Sequence, residues 1–262
     1  MSDYMTKPLT ELVAEITADG VVDAAEAKQI RERVFADGRI DKEEAEFLFA
    51  INNAVSGKAN DSAWNDLFVE AIAAYVLNDE KTPGVVDDEE AQYLIAKMQA
   101  DAQVDQTELA ALVQIAATAK STPEALQTFT LASLKTAILA DGVIAADEVA
   151  TLRKVIYGAG GAAGAGVARA EADFLFDLND AVSGKANDPA WPAFFVEALS
   201  KHLLEDPESP GKIDDAEADW LIGKIEGDKA VDDTEKALLK ALQTKAAAIS
   251  EKLKFKLGIW KI

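Results

Sequence analysis

The hydrophobic residues of this chain recur every three or four positions, which is the spacing of one face of an α-helix. Alanine, the strongest helix former, is abundant, and the alternation typical of strands is nearly absent. The pattern therefore predicts an all-α protein whose short connections favour antiparallel neighbouring helices. The clearest helical sets are Leu9, Leu12, Val13 and Ile16, then Phe47, Ile51 and Val55, then Leu67, Ala71, Ala74 and Tyr75.

A long internal repeat divides the 262 residues. The segment AVSGKANDSAW at 54–64 returns 127 positions later as AVSGKANDPAW at 181–191. A repeat on this scale indicates a duplicated domain rather than a short solenoid unit. We expect two helical-bundle domains of about six helices each, with residues 1–121 as the first copy and residues 122–262 as the second. A Gly-rich stretch in the second copy, residues 158–166, lacks the phosphate-binding fingerprints and is predicted to be a flexible insertion.

A short acidic phrase, Asp-Gly-x-(Val/Ile)-x-x-x-Glu, marks the predicted corners between helices. It is complete at 19–26 and 37–44. The glycine can close one helix in the left-handed conformation, and an aspartate and a glutamate three residues apart can form a capping box on the next helix. In this interpretation the phrase needs no ligand. Weaker copies begin at Gly84, Asp101, Asp141, Gly211 and Asp228.

The same phrase also matches the second half of a calcium loop. In such a loop, oxygen ligands come from alternate positions, a glycine turns the chain at position 6, and a bidentate glutamate closes it at position 12. The first halves fit poorly, because Glu15 or Arg33 would stand at position 1. In this interpretation the candidate ligands at the two complete corners are Asp19, Asp23, Glu26, Asp37, Asp41 and Glu44.

Two later segments fit a calcium loop better and occupy equivalent places in the two copies. Both are predicted to be loops that follow a helix, although each has a proline at position 5. We expect them to bind Ca²⁺ or another hard divalent cation weakly, nearer the millimolar than the nanomolar end of the range. Residues 206–217 offer Asp206, Glu208, the Lys212 carbonyl, Asp214 and Glu217, and residues 79–90 offer Asp79, the Val85 carbonyl, Asp87 and Glu90.

The phrase, preceded by alanine, resembles the helix junctions of the TerB-like family, which is named for tellurite resistance. Residues 18–26 (ADGVVDAAE) and 140–148 (ADGVIAADE) carry the resemblance, one in each copy. The resemblance implies a compact helical bundle with clustered carboxylates. It also implies a non-enzymatic role in stress response, through metal binding or membrane-associated complexes. The second copy departs from the pattern, since Ala145 and Ala168 stand where the first copy has Asp23 and Asp41.

The charge of the chain narrows the classes of partner. There are 47 acidic residues against 26 basic ones, a net charge of −21. Such a surface repels phosphate backbones, so a nucleic-acid partner is not expected, whereas a divalent cation or a basic protein partner is. Cysteine is absent, which fits a reducing compartment. With neither a secretory signal nor an apolar run of about 18 residues, we expect a cytoplasmic protein without a transmembrane segment.

The sequence offers little for catalysis. His202 is the only histidine, it replaces Tyr75 of the first copy, and we expect a structural role for it. Without a second histidine or any cysteine, catalytic triads and His-rich zinc sites are excluded, and no organic cofactor is expected. Residues 252–262 are basic and apolar in an otherwise acidic chain. They could contact an anionic membrane peripherally, or dock onto the acidic surface of their own chain or of a neighbour.

Three functions follow from these features. The leading prediction is a non-enzymatic, acidic binding and stress-response module with weak divalent-cation sites. The first alternative is an EF-hand-like calcium sensor or buffer, which would expose apolar surface on binding the ion. The second alternative is a metal-free scaffold for protein partners.

Overall fold

The computed structural model describes residues 4–100, 103–158, 166–227 and 231–262. In these residues it contains thirteen α-helices and two two-residue strands, so the all-α prediction is confirmed. Two predicted features lie outside the described residues, namely the starts of the phrase copies at Asp101 and Asp228 and most of the Gly-rich stretch. The helices are α1 Leu9–Ile16, α2 Ala24–Val34, α3 Lys42–Val55, α4 Ser62–Leu77, α5 Asp88–Met98, α6 Gln106–Thr118, α7 Glu124–Ile138, α8 Ala146–Gly158, α9 Arg169–Val182, α10 Ala190–Leu204, α11 Asp215–Ile225, α12 Asp233–Lys245 and α13 Glu251–Trp260.

The chain forms two compact units, Met1–Ser133 and Leu134–Ile262. The predicted boundary after residue 121 lies just before α7, whereas the division between the units falls within this helix. The difference arises because the first turns of α7 still belong to unit 1, where Leu126 is part of the hydrophobic core. No helix in the described ranges is long and apolar enough to cross a membrane.

Helices α3 and α4 carry the centre of the core of unit 1. Helix α4 packs against α2, α3 and α6, and α1 packs against α3. Trp64 and Phe68 on α4 are fully buried, and the Phe68 ring meets the Phe49 ring edge to face, 5.3 Å between centroids. Most of the apolar positions at helical spacing are buried here as expected, including Leu12 and Ile51, whereas Val13, Ala74 and Tyr75 are partly buried.

Helix α10 has the corresponding place in unit 2. It packs against α8, α9 and α12, with Trp191, Phe194 and Phe195 fully buried. Helix α13 packs against α11. The two strands, β1 at Lys212–Ile213 and β2 at Ala248–Ile249, form a parallel pair. In unit 1, Val85 and Ser121 form a parallel bridge at the positions 127 residues earlier. Such short pairings leave no alternation in the sequence, so the pattern of hydrophobic residues could not predict them.

Left-handed glycines turn the chain at the corners where the acidic phrase occurs. Gly20 and Gly38 have φ angles of 84° and 83°. The Val or Ile of the phrase, two residues after the glycine, points inward at both corners, since Val22 and Ile40 are buried. A side chain at the glycine positions would strain the turn, because L-residues with a Cβ rarely adopt this conformation.

We predict that Gly38→Ala lowers the free energy of unfolding by about 1 kcal/mol, which is the cost of a left-handed L-residue. An added Cβ would meet no atom within 4 Å at Gly38, so the effect would come from the backbone alone. Chemical denaturation followed by circular dichroism measures it. Gly223→Ala, in the exposed interior of α11 with equally open space, is the matched control and should instead stabilise the protein. Equal effects of the two changes would contradict the left-handed corner.

Candidate functional site

The carboxylates of the acidic phrase bind backbone amides at the starts of helices. At α2, the Glu26 amide donates to Asp23 Oδ1 over 2.8 Å and the Asp23 amide donates to Glu26 Oε2 over 3.0 Å. At α3, Asp41 and Glu44 form the same reciprocal pair at 2.9 and 3.0 Å. These are capping boxes, which satisfy amides that the first turn of a helix leaves without partners. The structure therefore shows the capping boxes that the phrase predicts at these two corners.

The aspartates that precede the glycines have their own local role. Asp19 Oδ1 accepts a hydrogen bond from the Val21 amide over 3.1 Å, and Asp37 Oδ1 accepts one from the Arg39 amide over 3.0 Å. Each bond closes a small turn around the left-handed glycine. Asn60, part of the repeated segment at 54–64, fixes the first corner to a neighbouring loop, since its Oδ1 accepts from the Val22 amide over 3.0 Å.

The predicted calcium loop at 206–217 is closed by hydrogen bonds. Asp214 and Glu217 form a capping box on α11, and Asp206 Oδ1 accepts from the Glu208 amide over 2.8 Å, while the Glu208 side chain is exposed. The Ser209 hydroxyl lies 2.9 Å from Glu217 Oε2 and 3.4 Å from the Lys212 carbonyl oxygen. It thus contacts two of the predicted ligands at once, as a cation between them would have to do.

The predicted loop at 79–90 is closed in a similar way. Asp79 Oδ1 accepts from both the amide and the hydroxyl of Thr82, at 3.0 and 3.1 Å. Asp87 and Glu90 form a capping box on α5, with both bonds at 2.9 Å. Val85 belongs to the parallel bridge with Ser121. Across the described ranges, no group of three or more Asp, Glu, His or Cys side chains is arranged to hold a metal ion.

Five of the predicted ligands nevertheless meet in one place. Two corners of unit 1, one before α3 and one before α5, line a shared groove of about 500 Å³. The lining contains seven carboxylates and three basic side chains, a formal charge of −4. The predicted ligands in this acidic groove are Asp37, Asp41, Asp79, Asp87 and Glu90. The remaining charged lining residues are Glu80, Glu89, Arg39, Lys42 and Lys81, and the uncharged ones are Ile40, Ala74, Tyr75, Asn78 and Tyr93.

Two tyrosines give the acidic groove an aromatic wall. The Tyr75 and Tyr93 rings lie 5.3 Å apart between centroids and are tilted by 57°. Burial, followed by the charge of Glu90, raises the pKa of Tyr75, and burial also raises the pKa of Tyr93, so both stay neutral phenols. Lys42 and Lys97 each place Nζ 5.6 Å from the centre of the Tyr93 ring. This ring already faces ammonium groups, which the electron-rich face of an aromatic ring attracts.

Electrostatics favour a cation in the acidic groove. Glu80 and Glu89 are exposed, and Glu80 forms an ion pair of 2.5 Å with Arg39. The Glu90 carboxylate lies partly out of solvent in the same groove as the tyrosines, and this burial raises its pKa. Glu80, Glu89 and Tyr93 were not predicted as functional residues from the sequence. The acidic run at 87–90 followed by Tyr93 one turn later was the available signal.

Unit 2 has a different chemistry at the positions 127 residues later. His202 and Trp220 replace the two tyrosines and make an edge contact, 5.0 Å between centroids. The Arg169 guanidinium lies 4.4 Å from the centre of the Trp220 ring. His202 Nδ1 lies 2.7 Å from the Val167 carbonyl oxygen, and burial lowers its pKa, which agrees with the structural role expected from the sequence. Pro207 and Ala216 stand where unit 1 has Glu80 and Glu89, so the acidic, tyrosine-lined groove is a feature of unit 1.

Comparison of the chain with protein-family models, with curated proteins and with solved structures found no match.

One capping glutamate provides a test of how these caps respond to pH. Ala168 replaces the N-cap aspartate at α9, so Glu171 Oε2 accepts from the Ala168 amide over 2.7 Å without the reciprocal side-chain bond. Burial raises the pKa of Glu171 to about 7. A carboxyl whose pKa is raised by folding binds a proton more tightly in the folded protein. Its contribution to stability is therefore complete at low pH and lost as the pH rises toward 7.

We predict that Glu171→Gln makes the free energy of unfolding less dependent on pH between about 4.5 and 7. Glutamine keeps the acceptor for the Ala168 amide but carries no ionisable proton, so the variant gains up to about 3 kcal/mol on the wild type across this range. Urea denaturation at a series of pH values measures the difference. Glu32→Gln, at an exposed position of α2, should keep the wild-type dependence on pH. Parallel curves for Glu171→Gln and the wild type would refute the buried, titrating cap.

Proposed function

We propose that this chain is a non-enzymatic, acidic binding module whose acidic groove in unit 1 takes up a basic segment of a partner protein. The observation that carries the proposal is the groove between the corners before α3 and α5. It combines seven carboxylates with the Tyr75 and Tyr93 rings. Carboxylates attract lysine and arginine head groups, while aromatic rings accept both their cationic heads and their alkyl stems.

A peptide suits this groove better than a single ion. A groove of about 500 Å³ has the volume of a small-molecule or side-chain pocket. Its carboxylates come from two separate corners, and several of them already accept backbone hydrogen bonds. A calcium ion requires six to eight oxygens within about 2.6 Å, whereas a flexible basic side chain needs only one or two carboxylates at hydrogen-bond distance. The geometry therefore favours the metal-free interaction scaffold among the three predicted functions.

The wider organisation of the chain supports a binding role. We propose that the two units are a duplicated helical bundle, on the basis of the 127-residue repeat and of short parallel pairings at matching positions. The resemblance of residues 18–26 and 140–148 to TerB-like junctions adds the proposal of a role in stress response. Calcium binding by residues 79–90 and 206–217 stays a prediction, and so does a cytoplasmic location.

We expect a fluorescein-labelled octalysine peptide to bind the full chain and Glu80→Gln/Glu89→Gln to weaken that binding. Both side chains are exposed in the groove and neither caps a helix, so the fold should remain intact. Removing two exposed carboxylates should raise the dissociation constant roughly threefold to tenfold at low ionic strength, and added salt should weaken binding further. Fluorescence anisotropy measures both effects.

The control for this experiment removes the same charge elsewhere. Glu32→Gln/Asp66→Asn alters two exposed carboxylates of unit 1, on α2 and α4, that do not line the groove. This variant should bind octalysine as tightly as the wild type does. Equal weakening in both double variants would show that octalysine responds only to net charge, and the groove would then lose its proposed role.

A further inference from the structure

Helix α13 is attached to unit 2 along one face. Leu253 and Leu257 are buried, at 1% and 4% exposure, where α13 packs against α11. Lys252 forms an ion pair of 2.7 Å with Asp219, and Lys256 forms one of 2.5 Å with Glu226. The basic, apolar segment 252–262 is therefore docked on its own chain through this face.

The opposite face of α13 is apolar and exposed. Phe255 is 70% exposed and Ile259 is 55% exposed. Within the part of the chain that the structure describes, only Met5 is a further exposed large hydrophobic residue. Phe255 and Ile259 lie four positions apart, so they share one stripe of the helix. Single exposed hydrophobic residues are common, whereas two that adjoin each other on one stripe form a contiguous apolar surface that a partner can bury.

The corresponding stretch of α7 shows that local packing does not require these two residues. Leu126, 127 positions before Leu253, is likewise buried. The positions that correspond to Phe255 and Ile259 are Thr128 and Ala132, which are exposed and not large hydrophobics. At these two positions, large hydrophobic side chains therefore occur on α13 and not on α7, and no described element covers them on α13.

Charge complementarity favours one occupant of this exposed stripe. Residues 252–262 carry four lysines and no acidic residue, whereas the acidic groove of unit 1 has a formal charge of −4. The groove also offers the rings of Tyr75 and Tyr93, so it can contact the two hydrophobic side chains while its carboxylates face the neighbouring lysines.

We propose that α13 of one copy of this chain docks into the acidic groove of unit 1 of a second copy. This inference rests on the proposed function of the groove and names its partner. Phe255 would pack against the Tyr75 and Tyr93 rings, and Lys252 and Lys254, whose side chains remain half exposed, would face Glu80 and Glu89. The contact joins two different surfaces, so each copy keeps one free groove and one free α13, and the assembly can extend.

Sedimentation velocity of the full chain tests this proposal, at about 0.15 M salt so that the repulsion between copies is screened. We expect the wild type to self-associate as its concentration rises. Phe255→Ser/Ile259→Ser removes the exposed stripe, and Glu80→Lys/Glu89→Lys raises the formal charge of the groove lining from −4 to zero. Each double variant alone should associate tenfold to a hundredfold more weakly, the first because it loses the burial of large apolar side chains and the second because its new lysines repel those of α13. Circular dichroism should show unchanged melting for both, because all four positions are exposed.

A mixture of the two variants is the decisive arm. One variant keeps an intact groove and the other keeps an intact α13, so the equimolar mixture should form one-to-one dimers that neither variant forms alone. A mixture that stays monomeric, or a wild type that stays monomeric at every concentration, would overturn the proposal. Pelleting of the wild type with phosphatidylserine vesicles, lost in Phe255→Ser/Ile259→Ser, would also overturn it in favour of a membrane. Octalysine binding separates a failure of this proposal from a failure of the proposed function, since the groove can bind the peptide even if the chain does not self-associate.

Discussion

The reciprocal hydrogen bonds between an N-cap aspartate and the glutamate three residues later set the geometry of this protein. Each pair fixes the direction in which a helix leaves its corner, and a left-handed glycine such as Gly38 turns the chain between the two helices at some of these corners. The pairs recur at α2, α3, α5, α6, α11 and α12. Because the caps require carboxylates, the same constraint places negative charge at one helix start after another.

The acidic groove is a consequence of two such corners lying side by side. The caps before α3 and α5 hold their aspartates in fixed positions, while Glu80 and Glu89 add carboxylates that have no capping role. Unit 2 keeps the cap at α11 but has Ala168 in place of the α3 aspartate, and Arg169 covers its aromatic ring. The two units therefore share capped helix starts but differ in the charged and aromatic side chains that their surfaces offer to a ligand.

Much of the fold could be predicted from the sequence, because helical spacing and capping are local. The buried faces of α1, α3 and α4 and the left-handed glycines follow from residues that lie within a few positions of one another. The groove could not be predicted in this way. It depends on residues about 40 to 50 positions apart, such as Asp41 and Glu89. The sequence of one corner does not indicate which other corner of the fold lies beside it. The contact between the Ser209 hydroxyl and Glu217 Oε2 likewise depends on how the loop folds back onto the start of α11, which residue spacing alone does not give.

Amide hydrogen exchange, followed by NMR with and without Ca²⁺, tests the central claim that these carboxylates serve as caps. The amides of Glu26, Glu44, Glu90 and Glu217 lie in the first turns of helices, where they have no acceptor within the helix. The account predicts that all four are protected in the absence of Ca²⁺ and that millimolar Ca²⁺ leaves their exchange unchanged. Fast exchange that becomes slow only when Ca²⁺ is added would contradict it.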